Sequence, residues 1–253
     1  GNGGANYELT YEGADLTIAK RPITLAADAA SKVYGNADPA LGVSVTQGSV
    51  ATEAVEDTLG EVTGTLTRTP GEDAGRYDIE LGEGSRAANY AITFATDNEA
   101  FTIEQRPLTL SADAASKVYG DPDPSLGVAV TGGSLATEAV EDTLGEVTGT
   151  LTRTSGEAVG RYDIELGEGS RAANYAITFA TDNEAFTIEQ RPLTLAADSR
   201  TKTYGESLAL GDSDFSVGGD GLANGDTLTT VTLGSSTDAA TEVGANAGSY
   251  PGE

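Results

Sequence analysis

The stretch SKVYG occupies residues 31–35, returns letter for letter at residues 116–120 and reappears as TKTYG at residues 201–205. Each step is 85 positions, and residues 20–104 align on residues 105–189 without a gap and with 12 of the 85 positions different. A fixed period of this kind is typical of tandem arrays, in which each repeat is one small structural unit. The sequence therefore predicts repeated modules, each marked by one copy of this word.

The repeats also set the predicted domain boundaries. Module 1 is residues 20–104, module 2 is residues 105–189, and module 3 is a divergent, truncated copy over residues 190–253. The leading segment, residues 1–19, is similar to the end of a module, because ANYELTYEGADLTIAKRP at residues 5–22 matches ANYAITFATDNEAFTIEQRP. It is predicted to form the closing strands of a preceding repeat. The chain lacks methionine and begins with GNGG, so we expect it to be a segment of a longer protein.

Alternating apolar and polar residues predict a mainly β fold. The predicted strands of each module lie in RPLTLSAD, EVTGTLTRT, RYDIEL, NYAITFAT and AFTIEQ, and SLATEAVEDTLG is left open as a short helix or a loop. FTIEQRPLTL is predicted to be one extended ribbon from one module into the next, with Pro22, Pro107 and Pro192 between strands, where they stiffen the crossing. About five strands in 85 residues indicate a small β-sandwich or a β-grasp-like sheet, repeated along an elongated array.

The repeated word itself is interpreted as a structural corner. In a strand its lysine and tyrosine share a face, and the glycine that follows permits a positive φ and a tight turn. Tyrosine is then expected to be a half-buried anchor, and the lysine stem to lie along the surface. The residues with this predicted role are Tyr34, Gly35, Tyr119, Gly120, Tyr204 and Gly205.

A chemical role for the lysine is the alternative. An isopeptide bond needs a buried lysine beside an amide and a catalytic acid, and lysine–asparagine pairs recur at equivalent positions in the two complete modules. The candidate pairs are Lys32 with Asn89 or Asn98, and Lys117 with Asn174 or Asn183.

The charge of the chain limits its partners. Forty acidic residues against 14 basic ones give a formal net charge of −26. Nucleic acids and anionic membranes are therefore not expected partners, since both are bound through clustered lysine and arginine. Carboxylates in turns are weak candidates for calcium, with solvated turn acids as the alternative, and no other cofactor is expected. The calcium candidates are Asp121, Asp123, Asp212 and Asp214.

Catalysis is not expected either. The chain has no histidine and no cysteine, so the common general base, thiol nucleophiles and most zinc sites are absent from its sequence. No nucleophile elbow and no phosphate-binding loop is present. The differences between modules 1 and 2 gather at residues 36–50 and 70–74. They indicate either drift at exposed positions or variable loops that contact a ligand.

Taken together, several motifs resemble a known family. RPLTLSADAASKVYGDPDP, GTLTRTSGEAVGRYDI and NYAITF are similar to the MBG domain of the YGX type, which occurs in tandem in large bacterial surface proteins and adhesins. The resemblance implies β-grasp-like modules in extracellular stalks and no catalytic residues. It favours a structural spacer whose partners are neighbouring repeats of the same chain.

Two alternatives to a spacer stay open. One is a binding module for a host or surface glycan or protein. The other is a fibre subunit, in which the leading segment completes module 3 of a neighbouring chain by strand addition.

Overall fold

A computed structural model describes residues 6–8, 10, 12–209, 211, 213–228 and 231–233 of the chain. Module 1 contains eight short strands, one short α-helix and a 3₁₀ turn at Ala87–Asn89. These elements are β1 (Arg21–Ala27), β2 (Ala30–Val33), β3 (Val43–Gly48), α1 (Leu59–Thr63), β4 (Thr67–Arg68), β5 (Gly75–Tyr77), β6 (Ile79–Glu80), β7 (Tyr90–Thr93) and β8 (Phe101–Glu104).

Module 2 repeats this order, with its 3₁₀ turn at Ala172–Asn174, and the described part of module 3 contains two strands. Its elements and those of module 3 are β9 (Arg106–Ala112), β10 (Ala115–Val118), β11 (Val128–Gly133), α2 (Leu144–Thr148), β12 (Thr152–Arg153), β13 (Gly160–Tyr162), β14 (Ile164–Glu165), β15 (Tyr175–Thr178), β16 (Phe186–Glu189), β17 (Leu193–Ala197) and β18 (Phe215–Gly219). The predicted fold class, mainly β in three tandem repeats, is confirmed. No helix among the described residues is long and apolar enough to span a membrane.

The strands of each complete module form three small sheets. In module 1 their orders are β3-β1-β7, β2-β8-β5 and β4-β6, and in module 2 they are β11-β9-β15, β10-β16-β13 and β12-β14. The central strands β1 and β8 each have one parallel and one antiparallel neighbour. Parallel neighbours such as β2 and β8 lie far apart in sequence, because a parallel pair needs a long crossover.

The cores follow from the alternation along these strands. In module 1, Ile23 and Leu25 of β1 point to one face and pack with Tyr90 of β7 and Val62 of α1. In module 2, Ile164, Phe186 and Ile188 form a buried cluster with partly buried residues around it.

The segment EVTGTLTRT differs from its prediction as a strand. Its first residues belong to α1, which begins after a capping box: Glu61 N–H donates to Thr58 Oγ1 at 3.3 Å, and Thr58 N–H donates to Glu61 Oε2 at 2.7 Å. This local pairing stabilises the first turn of a helix and wins over the alternating pattern. Of the open stretch SLATEAVEDTLG, only its last two residues enter the helix.

RYDIEL is likewise not one strand but two, β5 and β6, which belong to different sheets. Asp78 separates them, and its carboxylate accepts a hydrogen bond from Glu99 N–H at 2.8 Å. This break adds one strand to the predicted five, and β2 and β3, which lie outside the five predicted segments, bring the number to eight.

The proline position also differs from the prediction. Pro22 and Pro107 are the second residues of β1 and β9, while Pro192 lies just before β17. Near the start of a strand, a residue without an N–H is tolerated. The predicted ribbon is nearly continuous, since only Gln105 separates β8 from β9.

The described part of the leading segment contains no strand, and its assignment to the end of a preceding repeat stays a prediction. Residues 12–20 have no regular secondary structure, and Leu16 and Ile18 are each 89% exposed. The equivalent strand β8 pairs with β2 and β5, which precede it in module 1. Residues 1–19 contain no counterpart of these two strands.

The chain divides into two compact units that do not coincide with the modules. The first comprises Gly1–Thr109, Gly132–Val147 and Gly169–Thr178. The second comprises Leu110–Thr131, Thr148–Glu168 and Phe179–Glu253. The boundary between modules 1 and 2 therefore lies inside the first unit, and the boundary between modules 2 and 3 lies inside the second.

Candidate functional site: the boundary between modules

The Tyr-Gly word forms a tight corner at the end of β2. Asn36 N–H donates to Val33 O at 3.0 Å, and Tyr34 N–H donates to Glu104 O of β8 at 2.9 Å. The Tyr34 side chain is fully buried, and its ring meets the ring of Tyr175 edge-on at 5.5 Å. A residue at the corner of module 1 thus packs on module 2.

The three tyrosines of the word differ in burial. Tyr34 is buried, Tyr119 is half-buried, and Tyr204 is 71% exposed. The expectation of a half-buried anchor therefore describes Tyr119 only.

Gly35 has two reasons to be glycine. Its φ is +81°, which side chains rarely adopt, and a Cβ built on it would lie 2.3 Å from the Cβ of Ala136 in module 2. Gly120 repeats both features, with φ +88° and 2.2 Å to the Cβ of Ala223. The sequence predicted the turn but not the close approach of the next module. We call the first contact region junction 1 and the second junction 2.

Arg106 is the most highly connected side chain of junction 1. Its Nε and Nη2 donate to the carbonyl and hydroxyl oxygens of Ser134, in its own module, at 2.8 and 3.0 Å. Its Nη1 donates to Tyr34 O at 3.0 Å and to Asn36 Oδ1 at 2.9 Å, in module 1. The rigid, planar guanidinium suits this contact, because one edge bonds to Ser134 while the other edge bonds to module 1.

Arg191 makes the same arrangement in junction 2. Its Nη2 donates to Asp220 O at 2.8 Å, and its Nη1 donates to Tyr119 O at 3.1 Å and to Asp121 Oδ1 at 3.0 Å. These arginines were not among the predicted site residues. The available signal was the recurrence of arginine before proline at residues 21, 106 and 191, at the same period as the Tyr-Gly word.

A second set of bonds crosses junction 1. Asn174 Oδ1 accepts from Ala74 N–H at 2.8 Å, and Asn174 Nδ2 donates to Asp73 Oδ1 at 2.9 Å. Arg171 adds a longer ion pair to Asp73, at 3.8 Å. Asn174 is 4% exposed, whereas its equivalent in module 1, Asn89, is exposed.

A tyrosine–aspartate group lies at the centre of junction 1. Asp142 Oδ2 accepts from Tyr175 Oη at 2.8 Å, and Asp142 Oδ1 lies 3.6 Å from Arg171 Nε. Burial, followed by the nearby Asp142 carboxylate, raises the pKa of Tyr34 to about 12. Burial likewise raises the pKa of Tyr175 to about 12. In junction 2 the hydroxyl of Tyr119, which is the equivalent of Tyr34, donates to Asp226 Oδ2 at 2.8 Å.

In modules 1 and 2 the lysine of the word is buried, not laid along the surface. Lys32 is 7% exposed, and its Nζ lies 2.6 Å from Asp38 Oδ1 and 2.5 Å from Glu72 Oε2. Arg68 bonds to the same two carboxylates, and its guanidinium lies 5.0 Å from the ring of Phe101. We call these four charged residues the ion cluster. In module 2 it consists of Lys117, Asp123, Arg153 and Glu157.

The candidate isopeptide pairs are not brought together by these bonds. Lys32 contacts carboxylates, and the amide of Asn98 instead bonds to both backbone polar groups of Ile79. In module 2 the amide of Asn183 does the same with Ile164.

The described calcium candidates all pair with cationic side chains. Asp121 pairs with Arg191, Asp123 belongs to the ion cluster, and Asp214 pairs with Arg200. Asp212 lies outside the described residues. In the part of the chain that the structure describes, no three acidic residues are grouped as they would be around a metal ion.

Some of the positions that differ between modules 1 and 2 contact the following module, so drift at exposed positions does not account for all of the differences. Asn36, Asp73 and Ala74 differ from their equivalents in module 2, and all three bond to the following module. The remaining varied positions include Ala40 and Pro70, which line a surface groove beside the ion cluster.

The chain was also compared with known proteins. No curated protein and no solved structure matches it. The family model for the MBG domain (YGX type) matches residues 23–102, 108–187 and 193–252, so the three matches follow the repeats and together cover most of the chain. The resemblance noted in the sequence is thereby confirmed. The chain belongs to the MBG domain (YGX type) family, of which it contains three tandem members.

Proposed function

We propose that this chain is a spacer: a run of repeats that holds other parts of a bacterial surface or secreted protein at a fixed distance. One observation carries the proposal. Arg106 and Arg191 each fix one edge of the guanidinium in their own module and donate from Nη1 to the Tyr-Gly corner of the module before. A contact repeated at every boundary is what a stiff array needs.

The link between modules 1 and 2 also supports stiffness. Only Gln105 separates β8 from β9, so no flexible glycine- or serine-rich linker joins the two modules. Buried aromatic contact, backbone hydrogen bonds and charged hydrogen bonds act together at junction 1. Because hydrogen bonds to charged groups contribute about 1.5–3 kcal/mol, loss of the arginine alone weakens the junction measurably.

The other parts of the proposal are location and chemistry. We assign the chain to the cell exterior, as repeats of a surface or secreted protein, with no catalytic step and no cofactor. The net charge of −26 suits a long array of repeats, because a strongly acidic surface keeps it soluble and free of nonspecific contacts.

Small-angle scattering of the whole chain tests the spacer. We expect the double variant R106A/R191A to give a more flexible scattering profile than the wild type. The matched control is R76A/R161A, since these arginines are 67% exposed and make only long surface ion pairs. A wild-type profile as flexible as that of R106A/R191A would refute the spacer.

Ligand binding is the second candidate function, and the groove beside the ion cluster favours it. In both modules the groove is lined by the same charged residues of the ion cluster, while two other lining residues change from Ala40 and Pro70 to Ser125 and Ser155. Constant charge beside variable lining residues is compatible with related but distinct ligands. A glycan array tests it: saturable binding that is lost on changing residue 40 or 70 supports this role, and no binding leaves the spacer alone.

A further inference from the structure

One docking loop of module 1, which we call the corner loop, runs from Gly35 to Asp38. Gly35 O accepts a hydrogen bond from Ala139 N–H of module 2 at 3.0 Å. The side chain of Asn36 accepts from Arg106 Nη1 at 2.9 Å. Asp38, at the end of the loop, belongs to the ion cluster. The corner loop therefore makes contacts across junction 1 and contacts inside module 1.

A second docking loop runs from Pro70 to Ala74, and we call it the GED loop. Asn174 of module 2 accepts from Ala74 N–H at 2.8 Å and donates to Asp73 Oδ1 at 2.9 Å. The residue before Asp73 is Glu72, the other carboxylate of the ion cluster. Both docking loops thus carry one carboxylate of the cluster close in sequence to the residues that bond to module 2.

The two cations of the ion cluster join these loops. Lys32 Nζ lies 2.6 Å from Asp38 Oδ1 and 2.5 Å from Glu72 Oε2. Arg68 Nε lies 2.7 Å from Asp38 Oδ2, and its Nη2 lies 2.5 Å from Glu72 Oε1. Arg68 Nη1 also donates to Gly71 O at 2.5 Å, in the backbone of the GED loop. Each carboxylate is therefore bonded by both cations, so the corner loop and the GED loop are held together.

The cations of the cluster are buried, whereas its carboxylates are partly exposed. The side chains of the two cations are 3% and 7% exposed, against 38% for those of the two carboxylates. Removal of one partner from a buried charge pair is strongly destabilising, because it leaves a charge without compensation. Within the described residues, the hydrogen bonds and ion pairs of these four side chains all stay inside module 1. Any effect of the cluster on junction 1 is therefore exerted through the docking loops.

We propose that Lys32 and Arg68 are positioning residues for junction 1: they hold both docking loops of module 1 in the arrangement that bonds to module 2. A loop that is ordered before docking loses less conformational entropy when it docks, so the contact is stronger. This role rests on the proposed function, since it concerns the stiffness of the array. It also gives a reason for the lysine in the Tyr-Gly word of module 2, where Lys117 joins Asp123 and Glu157 in the same way.

Pulsed dipolar spectroscopy of the whole chain tests the role, with spin labels at T93C and T178C, which are exposed positions in modules 1 and 2. We expect K32M to widen the distance distribution to about twice its wild-type width, because the carboxylates of both loops lose a buried cation. The matched control is K117M, which removes the equivalent lysine from the ion cluster of module 2 and should leave this distribution narrow.

A milder pair of variants applies if K32M does not fold. E72Q removes one charge from a partly exposed side chain and should widen the distribution by a smaller amount, whereas the equivalent change E157Q should not widen it. A combination of variants tests whether Lys32 acts through the docking loops. In N36A/D73A these loops already lack their side-chain bonds to module 2, so K32M should add less width there than in the wild type.

The outcomes separate the positioning role from the spacer. A narrow distribution in the wild type that stays equally narrow in K32M and E72Q would overturn the positioning role and leave the spacer intact. Equal widening by K32M and K117M would also overturn it, because the effect would then be a general destabilisation of either module. A wild-type distribution as broad as that of R106A/N174A would contradict the spacer itself, and the positioning role with it.

Discussion

Arg106 Nη1 lies 3.0 Å from the backbone carbonyl oxygen of Tyr34, across the boundary between two repeats. The bond binds the main chain of one module, not a variable side chain, and Arg191 makes the equivalent bond to Tyr119. Because the acceptor is backbone, the contact tolerates the change from Asn36 to Asp121 beside it. The bond across the boundary between modules is therefore retained when the side chain next to it changes.

Removal of this arginine should loosen junction 1. We expect R106A to lower the free energy of unfolding by about 1.5–3 kcal/mol, because two charge-assisted bonds across the boundary are lost. R106K should recover little of this, since an ammonium group lacks the planar fork that bonds to Ser134 and Tyr34 together. Urea unfolding measures the loss, and R76A, at an exposed ion pair, should cost less than about 1 kcal/mol. Equal losses of unfolding free energy in R106A and R76A would show that Arg106 does not stabilise junction 1.

Substitutions at Gly205 and Gly35 measure separately the cost of a strained φ and the cost of a steric clash. G205A should destabilise by about 1–2 kcal/mol, because alanine is strained at φ +91° although the space around it is open. G35A should cost at least about 1 kcal/mol more, since its Cβ also collides with Ala136. Chemical denaturation of both variants gives the difference. The second change A136G should restore that excess in G35A; if it restores nothing, the close approach is not the reason for glycine.

Alkaline pH should weaken junction 1. Tyr34 and Tyr175 have pKa values of about 12 in the folded protein, against 10.0 ordinarily, so the unfolded chain loses these protons first. Their stabilisation is complete below pH 10 and is lost as the pH rises towards 12. Absorbance titration should show late ionisation of tyrosine, and Y34F should lose part of the decline in unfolding free energy between these pH values. Unchanged alkaline sensitivity in Y34F would show that Tyr34 does not titrate with unfolding.

Acid should weaken the ion cluster. Arg68 is the main cause that lowers the pKa of Asp38 below its ordinary value of 3.8, and Arg153 lowers the pKa of Asp123 in the same way. A carboxylate with a lowered pKa stabilises the fold above its ordinary pKa, and that contribution is lost as pH falls through the folded value. D38N/D123N should therefore flatten the fall in unfolding free energy below about pH 4. The control D97N/D182N changes exposed turn acids and should keep the wild-type slope.

The sequence predicted the repeats, the β-rich class and the positive φ of the Tyr-Gly corner, because period and alternation are local properties. It did not predict that EVT belongs to a helix, since a capping box outweighs a weak alternating pattern. The arginine contacts could not be predicted from the sequence for another reason. Arg106 and Tyr34 are 72 positions apart, and only the packing of one module on the next brings them together.

The burial of Lys32 could not be predicted either, because it also depends on residues that are distant in sequence. A lysine before a turn is usually solvated, and Lys32 is buried only because Asp38 and Glu72, from separate loops, converge on its Nζ. Asp123 was considered as a calcium ligand for its place in an acidic turn. Its actual neighbours, Lys117 and Arg153, come from strands that the sequence does not place beside that turn.

The most direct test of the account is the distance between equivalent points of modules 1 and 2. The chain has no cysteine, so spin labels at T93C and T178C, exposed positions at the ends of β7 and β15, report that distance alone. Pulsed dipolar spectroscopy should give one narrow distribution in the otherwise wild-type chain and a clearly broader one when R106A and N174A are added. A distribution that is equally broad with and without these two changes would contradict the claim that junction 1 fixes successive repeats.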